Sequence, residues 1–204
     1  MKIICIGRNY AAHARELNNP LPAEPVFFMR PDTALLLKNQ PFYYPEFTKE
    51  LHHEIEVVVR IDKAGKHILP EFAHNYYNEV TVGIDFTARD LQQQCKEKGL
   101  PWEIAKAFDK SAPLGNFMPI EKFKKSINNL DFNLDINGVT VQKSNTSGMI
   151  FTIDQIIAYV SQFVSLRLGD LIFTGTPSGV GPVKIGDRLS CYLEGKKLLE
   201  FEVK

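Results

Sequence analysis

The amino-acid sequence predicts a single, β-rich α+β domain, and three observations support this. The chain has 204 residues, a length that suits one domain. Hydrophobic residues make up 44% of it and charged residues 24%, which is the composition of a globular protein. Short apolar runs with the patterning of strands outnumber the helical patterns, and strands and helices alternate only weakly along the chain.

The amino-terminal half predicts strands that are separated by proline-rich breaks. We expect strands or irregular β segments at residues 2–6, 26–29, 34–37, 42–44, 51–61 and 80–86. Short helices are expected behind an Asn9 cap as far as Leu17, at about residues 72–77, and from Thr87 to about residue 98. Thr87 is the predicted N-cap of the last of these, with Asp90 in a capping-box-like position.

The carboxy-terminal half predicts two hairpins and one longer helix after a loop at residues 99–130. Asn137-Gly138 favours a type I′ hairpin turn. Thr152 caps a helix that runs to about residue 164, and Gln155 completes a capping box. The strands are expected at residues 134–136, 139–142, 171–174, 189–193 and 197–203, the last two joined around Glu194-Gly195.

Charge and cysteine content argue against several classes of partner. The 24 Lys and Arg residues balance the 24 Asp and Glu residues, and no half of the chain is basic, so we expect no nucleic-acid partner. No segment reaches the ~18 consecutive apolar residues of a membrane span, and we expect no membrane partner. Cys5, Cys95 and Cys191 are widely spaced, which fits a reducing compartment and predicts a cytoplasmic protein.

The sharpest chemical signal lies in the predicted strand at residues 51–61. Side chains alternate between the two faces of a strand, so Glu54 and Glu56 point the same way. Glutamates also occupy the wet face of an ordinary half-buried strand, and spacing alone favours that explanation. Asp85 ends the next predicted strand, where a carboxylate either presents a functional group or stabilises a helix N-terminus.

If the two predicted strands are neighbours, Glu54, Glu56 and Asp85 converge. Three close carboxylates repel one another by about 4 kcal/mol per pair at an effective dielectric of ~20, so they must take up protons or a cation. Oxygen ligands favour a hard ion such as Mg²⁺, Mn²⁺ or Ca²⁺ over zinc. His53 shares a face with Ile55, and we expect it to pack or to bind a carbonyl rather than a metal.

Five segments occur together in a recognisable order. They are CIGRNYAAHAREL (5–17), LHHEIEVVVRI (51–61), TARDLQQQCKEKGLPWEIAKAFD (87–109), SGMIFTIDQIIAYVS (147–161) and GDLIFTGTPSGVGPV (169–183). With these segments the chain resembles the fumarylacetoacetate hydrolase family, in its small branch of acylpyruvate hydrolases and oxaloacetate decarboxylases. The resemblance implies a mixed β roll with a few short helices, of the type of the family's C-terminal domain.

The resemblance also implies how the chain is organised. Residues 1–204 would form one catalytic domain, and two copies would form a homodimer. Residues 1–50 would be an N-terminal segment that includes a mobile lid at about residues 9–25.

The resemblance implies a metal site and a catalytic lysine. Glu54, Glu56 and Asp85 match the family's ligands for Mg²⁺ or Mn²⁺, and Ca²⁺ is a further candidate in a crystal. Lys106 matches a lysine at the substrate. From the sequence alone Lys106 is typical of an ordinary surface lysine.

Further positions match residues that contact the substrate, a small anionic keto acid. His13 and Glu16 match a catalytic dyad, and at i and i+3 on a short helix they share a face. Without the resemblance, an exposed surface pair is the preferred explanation for them. Arg8, Gln92 and Thr176 match substrate-binding residues of the family.

The implied activity is that of a metal-dependent hydrolase or lyase of small keto acids. We expect hydrolysis of the C–C bond of acylpyruvate-type 2,4-diketo acids through a metal-stabilised pyruvate enolate. The alternatives are an oxaloacetate decarboxylase or keto–enol tautomerase, or a hydratase or isomerase of aromatic catabolism of the 2-hydroxyhepta-2,4-diene-1,7-dioate isomerase type. Outside this class, the chain would be a non-catalytic protein that binds a cation or a keto acid.

Overall fold

Strands far outnumber helices in the computed structural model, which describes residues 1–16 and 20–204. The strands are β1 (Ile3–Gly7), β2 (Val26–Arg30), β3 (Leu35–Leu36), β4 (Leu51–His53), β5 (Ile55–Ile61), β6 (Tyr77–Ile84), β7 (Thr87–Ala88), β8 (Ala112–Pro113), β9 (Met118–Pro119), β10 (Asp131–Ile136), β11 (Val139–Asn145), β12 (Leu171–Phe173), β13 (Gly181–Pro182), β14 (Arg188–Leu193) and β15 (Lys196–Glu202). The α-helices are α1 (Ala11–Glu16), α2 (Arg89–Lys98), α3 (Glu103–Lys106) and α4 (Ile153–Phe163). Single 3-10 turns or short 3-10 helices span Asp32–Ala34, Pro70–Tyr76, Ile120–Lys122, Ile127–Asn129 and Thr146–Gly148. The predicted β-rich α+β class is confirmed.

A mixed six-stranded sheet with the order β2-β1-β12-β5-β6-β9 forms the centre of the molecule. One of its two middle strands, β5, is buried on both faces: Val57 and Val59 pack into the larger hydrophobic core, while Val58 packs into a second one. Only Arg60 within β5 is partly exposed. The alternative of a half-buried strand with a wet face is therefore wrong, because a second layer of side chains covers that face.

Two hairpins, β10–β11 and β14–β15, supply the four strands of a second sheet, whose order is β11-β10-β14-β15. Asn137 and Gly138 have φ values of 53° and 81°, and Glu194 and Gly195 have φ values of 47° and 72°. Positive φ at both central residues is the requirement of a type I′ turn, whose twist matches that of the strands it joins. Both predicted hairpins are confirmed.

Two of the three predicted helix caps, at Thr152 and Thr87, have opposite outcomes, and the third, at Asn9, is wrong because the Asn9 amide bonds the backbone of Phe151 and Thr174. The capping box of α4 is confirmed, since Thr152 Oγ1 accepts from the Gln155 N–H at 3.3 Å and Gln155 Oε1 accepts from the Thr152 N–H at 2.9 Å. The N-cap predicted at Thr87 is wrong, because Thr87 pairs with β4 as part of β7. Asp90 accepts a hydrogen bond from Thr48 Oγ1 at 2.5 Å. Its carboxylate therefore binds a loop that is distant in sequence and does not form the predicted capping box with Thr87.

The strand predicted at residues 51–61 is divided at Glu54. β4 lies in a small sheet between β13 and β7, whereas β5 lies in the central sheet between β12 and β6. The region predicted as loop, residues 99–130, contains the single helical turn α3 and the short strands β8 and β9. The break at Glu54 and the turn α3 both contribute residues to the candidate site described below.

Part of the predicted lid lies outside the described residues. The predicted helix end at Leu17 falls there, and so do residues 17–19 of the lid proposed at about 9–25. The described helix α1 spans Ala11–Glu16. Within residues 1–16 and 20–204, no helix has the length and apolar character needed to cross a membrane.

Candidate active site

Three carboxylates meet inside the protein. Glu54 lies at the break between β4 and β5, Glu56 lies within β5, and Asp85 directly follows β6. Antiparallel pairing of β5 with β6 brings them together, and the Asp85 N–H donates to the Glu54 carbonyl oxygen at 2.8 Å. Each carboxylate offers an oxygen within 4.8 Å of the other two, and each residue is at most 5% exposed.

Lys106 joins two of these carboxylates. Its Nζ lies 3.0 Å from Glu54 Oε2 and 2.9 Å from Asp85 Oδ1. The side chain is buried, so the explanation of Lys106 as a surface lysine is wrong. The single turn α3 causes this, because it interrupts the predicted loop and directs its last residue into the interior.

Arg30, which was not predicted from the sequence, is a second buried cation at the site. It ends β2 and pairs with Asp85. Its guanidinium also donates to the Ser111 carbonyl and hydroxyl oxygens at 2.9 and 2.6 Å and to the Phe86 carbonyl oxygen at 3.2 Å. These partners lie more than 50 residues away along the chain, so local sequence carries no signal for them.

Arg89 is the third cation, and it was also not predicted. Its guanidinium donates to Glu54 Oε1 at 2.6 Å and to Gln92 Oε1 at 2.7 Å, and the Thr87 hydroxyl donates to the same Glu54 oxygen at 3.0 Å. Arg89 is the first residue of α2, where the helix dipole disfavours a cation. A positive charge at that position is a signal that could have indicated a nearby carboxylate.

The carboxylates differ in their electrostatic surroundings. Burial alone raises the pKa of a carboxyl, but Lys106 and Arg89 outweigh it and hold the pKa of Glu54 well below its usual range. Burial raises the pKa of Glu56 well above its usual range, and the neighbouring Asp85 adds to the shift. Glu56 Oε2 accepts a hydrogen bond from the Gly175 N–H at 2.8 Å, and no cation of the described residues pairs with it.

The donor set fits a hard divalent ion. Two oxygens bound to one ion lie at most about 4.2 Å apart for Mg²⁺ and about 5 Å apart for Ca²⁺, which is close to the 4.8 Å limit of this cluster. All the donors are carboxylate oxygens, and Glu56 lacks a positive partner. The three side chains are therefore able to hold a metal ion.

The predicted dyad is partly buried. His13 Nδ1 lies 3.2 Å from Glu16 Oε2, and Glu16 Oε1 accepts from the Gly179 N–H at 3.0 Å. His13 is only 6% exposed, so the explanation as an exposed surface pair is wrong for the histidine. The contact with Gly179 ties α1 to the glycine-rich loop after β12.

One cavity of about 40 Å³ collects the predicted site residues, with room for about three water molecules. Its lining includes the sequence-predicted residues Arg8, His13, Glu54, Glu56, Asp85, Gln92, Lys106 and Thr176. Glu16 is absent from this lining and contacts the cavity only through His13. Arg8 reaches it from a left-handed backbone conformation with a φ of 59°, which is uncommon for a residue other than glycine.

Comparisons with known proteins agree with this architecture. The family model of the fumarylacetoacetate (FAA) hydrolase C-terminal region matches residues 2–204. The chain is 43% identical over 201 residues to the mitochondrial oxaloacetate tautomerase of Bos taurus, covering 98% of this chain and 90% of the relative. It is 42% identical over 195 residues to the mitochondrial oxaloacetate decarboxylase of Dictyostelium discoideum, covering 95% and 89%.

A solved structure is also similar to this chain. The fumarylpyruvate hydrolase from Pseudomonas aeruginosa in complex with Mn²⁺ and pyruvate superposes with a TM-score of 0.93 at 39% identity. The match covers 100% of this chain and 89% of that one.

The cytoplasmic location predicted from the cysteines is contradicted. The oxaloacetate tautomerases of Bos taurus and Homo sapiens and the decarboxylase of Dictyostelium discoideum are mitochondrial proteins. Cys5, Cys95 and Cys191 are free and buried, which fits a reducing environment but does not distinguish one such compartment from another.

The family model and the similar proteins extend over nearly the whole chain, and the strand-rich fold agrees with them. The activities in their names are tautomerisation, decarboxylation and hydrolysis of keto acids. The chain therefore belongs to the fumarylacetoacetate hydrolase family and is an enzyme.

Proposed function

We propose that the protein is a divalent-metal-dependent enzyme that interconverts the keto and enol forms of oxaloacetate, and that decarboxylation of oxaloacetate accompanies this reaction. One observation carries the proposal: three buried carboxylates and a buried lysine share a single cavity. Relatives named for oxaloacetate tautomerase and decarboxylase support this alternative better than the acylpyruvate hydrolysis that we expected first.

In this proposal Glu54, Glu56 and Asp85 would hold Mg²⁺ or Mn²⁺. A bound ion would supply a Lewis acid that polarises the 2-keto group. The similar fumarylpyruvate hydrolase is in complex with Mn²⁺ and pyruvate, which supports an ion of this kind.

Arg8, Gln92 and Thr176 would bind the anionic substrate. Gln92 Oε1 already accepts a hydrogen bond from Arg89 at 2.7 Å, which leaves the amide N–H groups of Gln92 to donate to substrate oxygens. Arg8 adds a positive charge to the lining of the same cavity. Together these groups favour a small molecule with carboxylates over a neutral one.

Tautomerisation removes a proton from the carbon beside the keto group and places one on the keto oxygen. His13 would move this proton, because Glu16 accepts from its Nδ1 and so leaves the Nε2 lone pair as the base. Lys106 has three N–H donors, of which Glu54 and Asp85 engage two. The third is available to stabilise the negative charge that develops on the substrate.

Hydrolysis of acylpyruvates is a second candidate function. The His13–Glu16 pair, with 3.2 Å between Nδ1 and Oε2, would activate water for attack on the distal carbonyl. The similarity to fumarylpyruvate hydrolase supports this candidate.

For either function we propose that residues 1–204 form one catalytic domain. The homodimer stays a prediction, which sedimentation equilibrium would test.

A panel of substrates with and without metal tests the proposal. The purified protein with Mg²⁺ or Mn²⁺ should accelerate the decay of enol-oxaloacetate absorbance beyond the buffer blank, and EDTA should abolish the acceleration. Acetylpyruvate cleavage in the same assay would favour the second candidate. If neither oxaloacetate, its enol nor acetylpyruvate is turned over with either metal, both functions are refuted.

A further inference from the structure

Gln142 on β11 is a buried amide that connects two segments of the site. It is 1% exposed. Its Oε1 accepts from the Ile55 N–H at 3.0 Å and lies 3.0 Å from His53 Nδ1. Its Nε2 donates to Thr176 Oγ1 and to the Pro177 carbonyl oxygen, both at 3.0 Å.

The backbone partners fix the orientation of this amide. Ile55 offers an N–H, which can only donate, and Pro177 offers a carbonyl oxygen, which can only accept. A flipped amide would set donor against donor and acceptor against acceptor, so the oxygen faces Ile55. His53 Nδ1 is then a donor to a carbonyl oxygen, in agreement with the prediction that His53 is not a metal ligand.

The orientation of Gln142 decides how the Thr176 hydroxyl is used. A hydroxyl has one hydrogen and two lone pairs, and Gln142 Nε2 occupies a lone pair. No described residue accepts the Thr176 hydrogen, and Thr176 lines the cavity of the three carboxylates. The hydrogen is therefore available to an anion in that cavity.

We propose that Gln142 is a positioning residue that presents the Thr176 hydroxyl as a hydrogen-bond donor to the carboxylate of a 2-keto acid. This role rests on the proposed function. Gln142 is unable to contribute by direct contact, since both ends of its amide are used by the protein.

The two ends of the amide have separable roles. The acceptor end holds the N–H of Ile55, the residue between Glu54 and Glu56, and thus supports the metal ligands. The donor end supports Thr176. Gln142→Glu keeps the shape and the acceptor end but cannot donate both hydrogen bonds, whereas Gln142→Met keeps only the length.

Pyruvate binding to the Mn²⁺-loaded protein, measured by titration calorimetry, tests this role. Loss of a hydrogen bond to a charged group should weaken pyruvate binding roughly 10- to 100-fold in Gln142→Glu and in Thr176→Val. The double variant should bind pyruvate within about twofold of Thr176→Val, because the hydroxyl is already absent. The Mn²⁺ dissociation constant should change by less than about threefold in Gln142→Glu and by more in Gln142→Met.

Two variants serve as controls. Gln162→Glu introduces the same charge on the exposed side of α4 and should leave pyruvate binding unchanged. Thr176→Ser keeps the hydroxyl and should bind pyruvate within about threefold of the wild type. If Gln142→Glu does not fold, as judged by circular dichroism, the same double-mutant comparison is made with Gln142→Met and Thr176→Val.

Each outcome separates this role from the proposed function. Unchanged pyruvate binding in Gln142→Glu, or losses that multiply in the double variant, would overturn the role of Gln142 and leave the proposed function intact. A wild-type protein that binds Mn²⁺ but no pyruvate would refute the proposed substrate class, and the role of Gln142 with it.

Discussion

Replacement of Arg30 by methionine should destabilise the protein strongly when no metal is bound. The Arg30 side chain is fully buried and pairs with Asp85, which is itself buried. It also donates to the Ser111 and Phe86 carbonyl oxygens at 2.9 and 3.2 Å. Methionine fills much of the same space but supplies neither the charge nor these hydrogen bonds.

The expected loss follows from these contacts. Removal of one partner of a buried ion pair costs about 3–5 kcal/mol, because the remaining charge is uncompensated. Asp85 keeps Lys106 Nζ at 2.9 Å, which lowers the cost, whereas each carbonyl that loses its donor adds about 1–3 kcal/mol. We expect a loss of about 4 kcal/mol, a large part of the roughly 5–15 kcal/mol that stabilises a domain.

Urea unfolding in EDTA, followed by circular dichroism, measures this loss as a change in the free energy of unfolding. Arg60→Met is the matched control, since the Arg60 side chain is 43% exposed in its pair with Glu79 and should contribute at most about 1 kcal/mol. A loss below about 1 kcal/mol in Arg30→Met would refute the view that Arg30 compensates a buried charge.

The same variant also tests Asp85 as a metal ligand. Mn²⁺ at one hundred times its dissociation constant should stabilise the wild type by about 2.7 kcal/mol. At the same Mn²⁺ concentration Arg30→Met should gain more, because the ion supplies the positive charge that Asp85 has lost. A smaller gain in the variant would contradict this placement of the ion.

Three further predictions concern the ligands, the dyad and the pH dependence of stability. Glu56→Gln should weaken Mn²⁺ binding more than about tenfold by calorimetry, since Glu56 is the proposed ligand that has no cationic partner among the described residues, and unchanged affinity would exclude it as a ligand. His13→Ala should reduce acetylpyruvate hydrolysis more than oxaloacetate decarboxylation in paired rate assays, and equal losses would contradict water activation. Burial alone would raise the pKa of Asp90, but hydrogen bonds from Thr48 and neighbouring amides outweigh it and lower the pKa. A lowered pKa stabilises the fold above the unfolded value of about 3.9 and loses this effect as the pH falls through the folded value. Asp90→Asn should therefore destabilise the protein in urea unfolding at pH 7, and by progressively less as the pH falls below about 3.9.

Local chemistry made parts of the fold predictable. The type I′ turn at Asn137-Gly138 and the capping box of Thr152 with Gln155 involve residues no more than three positions apart, so the sequence contains both partners of each interaction. The Thr87 cap was wrong for a related reason. A threonine before a helical pattern is a good cap, but pairing of β7 with β4 competes for the same backbone and prevails.

Glu54 and Glu56 do approach each other as expected, but alternation along one continuous strand does not fully explain why. Strand alternation predicted that Glu54 and Glu56 point the same way, yet Glu54 lies at the break between β4 and β5, whereas Glu56 pairs with Gly83 of β6. They still share a cavity with Asp85, because the pairing of β5 with β6 brings the strand end beside the break. The pairing register between β5 and β6 decided that the three carboxylates converge. The residue pattern of one strand does not reveal the register with which it pairs with another.

By itself, the sequence determined the β-rich class, the hairpins and the residue types able to bind a divalent ion, because these depend on patterning and donor chemistry over short spans. Only the tertiary structure decided which charges compensate the cluster. Arg30 reaches Asp85 across 55 residues of chain, Arg89 reaches Glu54 across 35, and Gln142 reaches the Ile55 N–H across 87. Burial in a common core makes these contacts obligatory, since an unpaired charge or amide there would be costly.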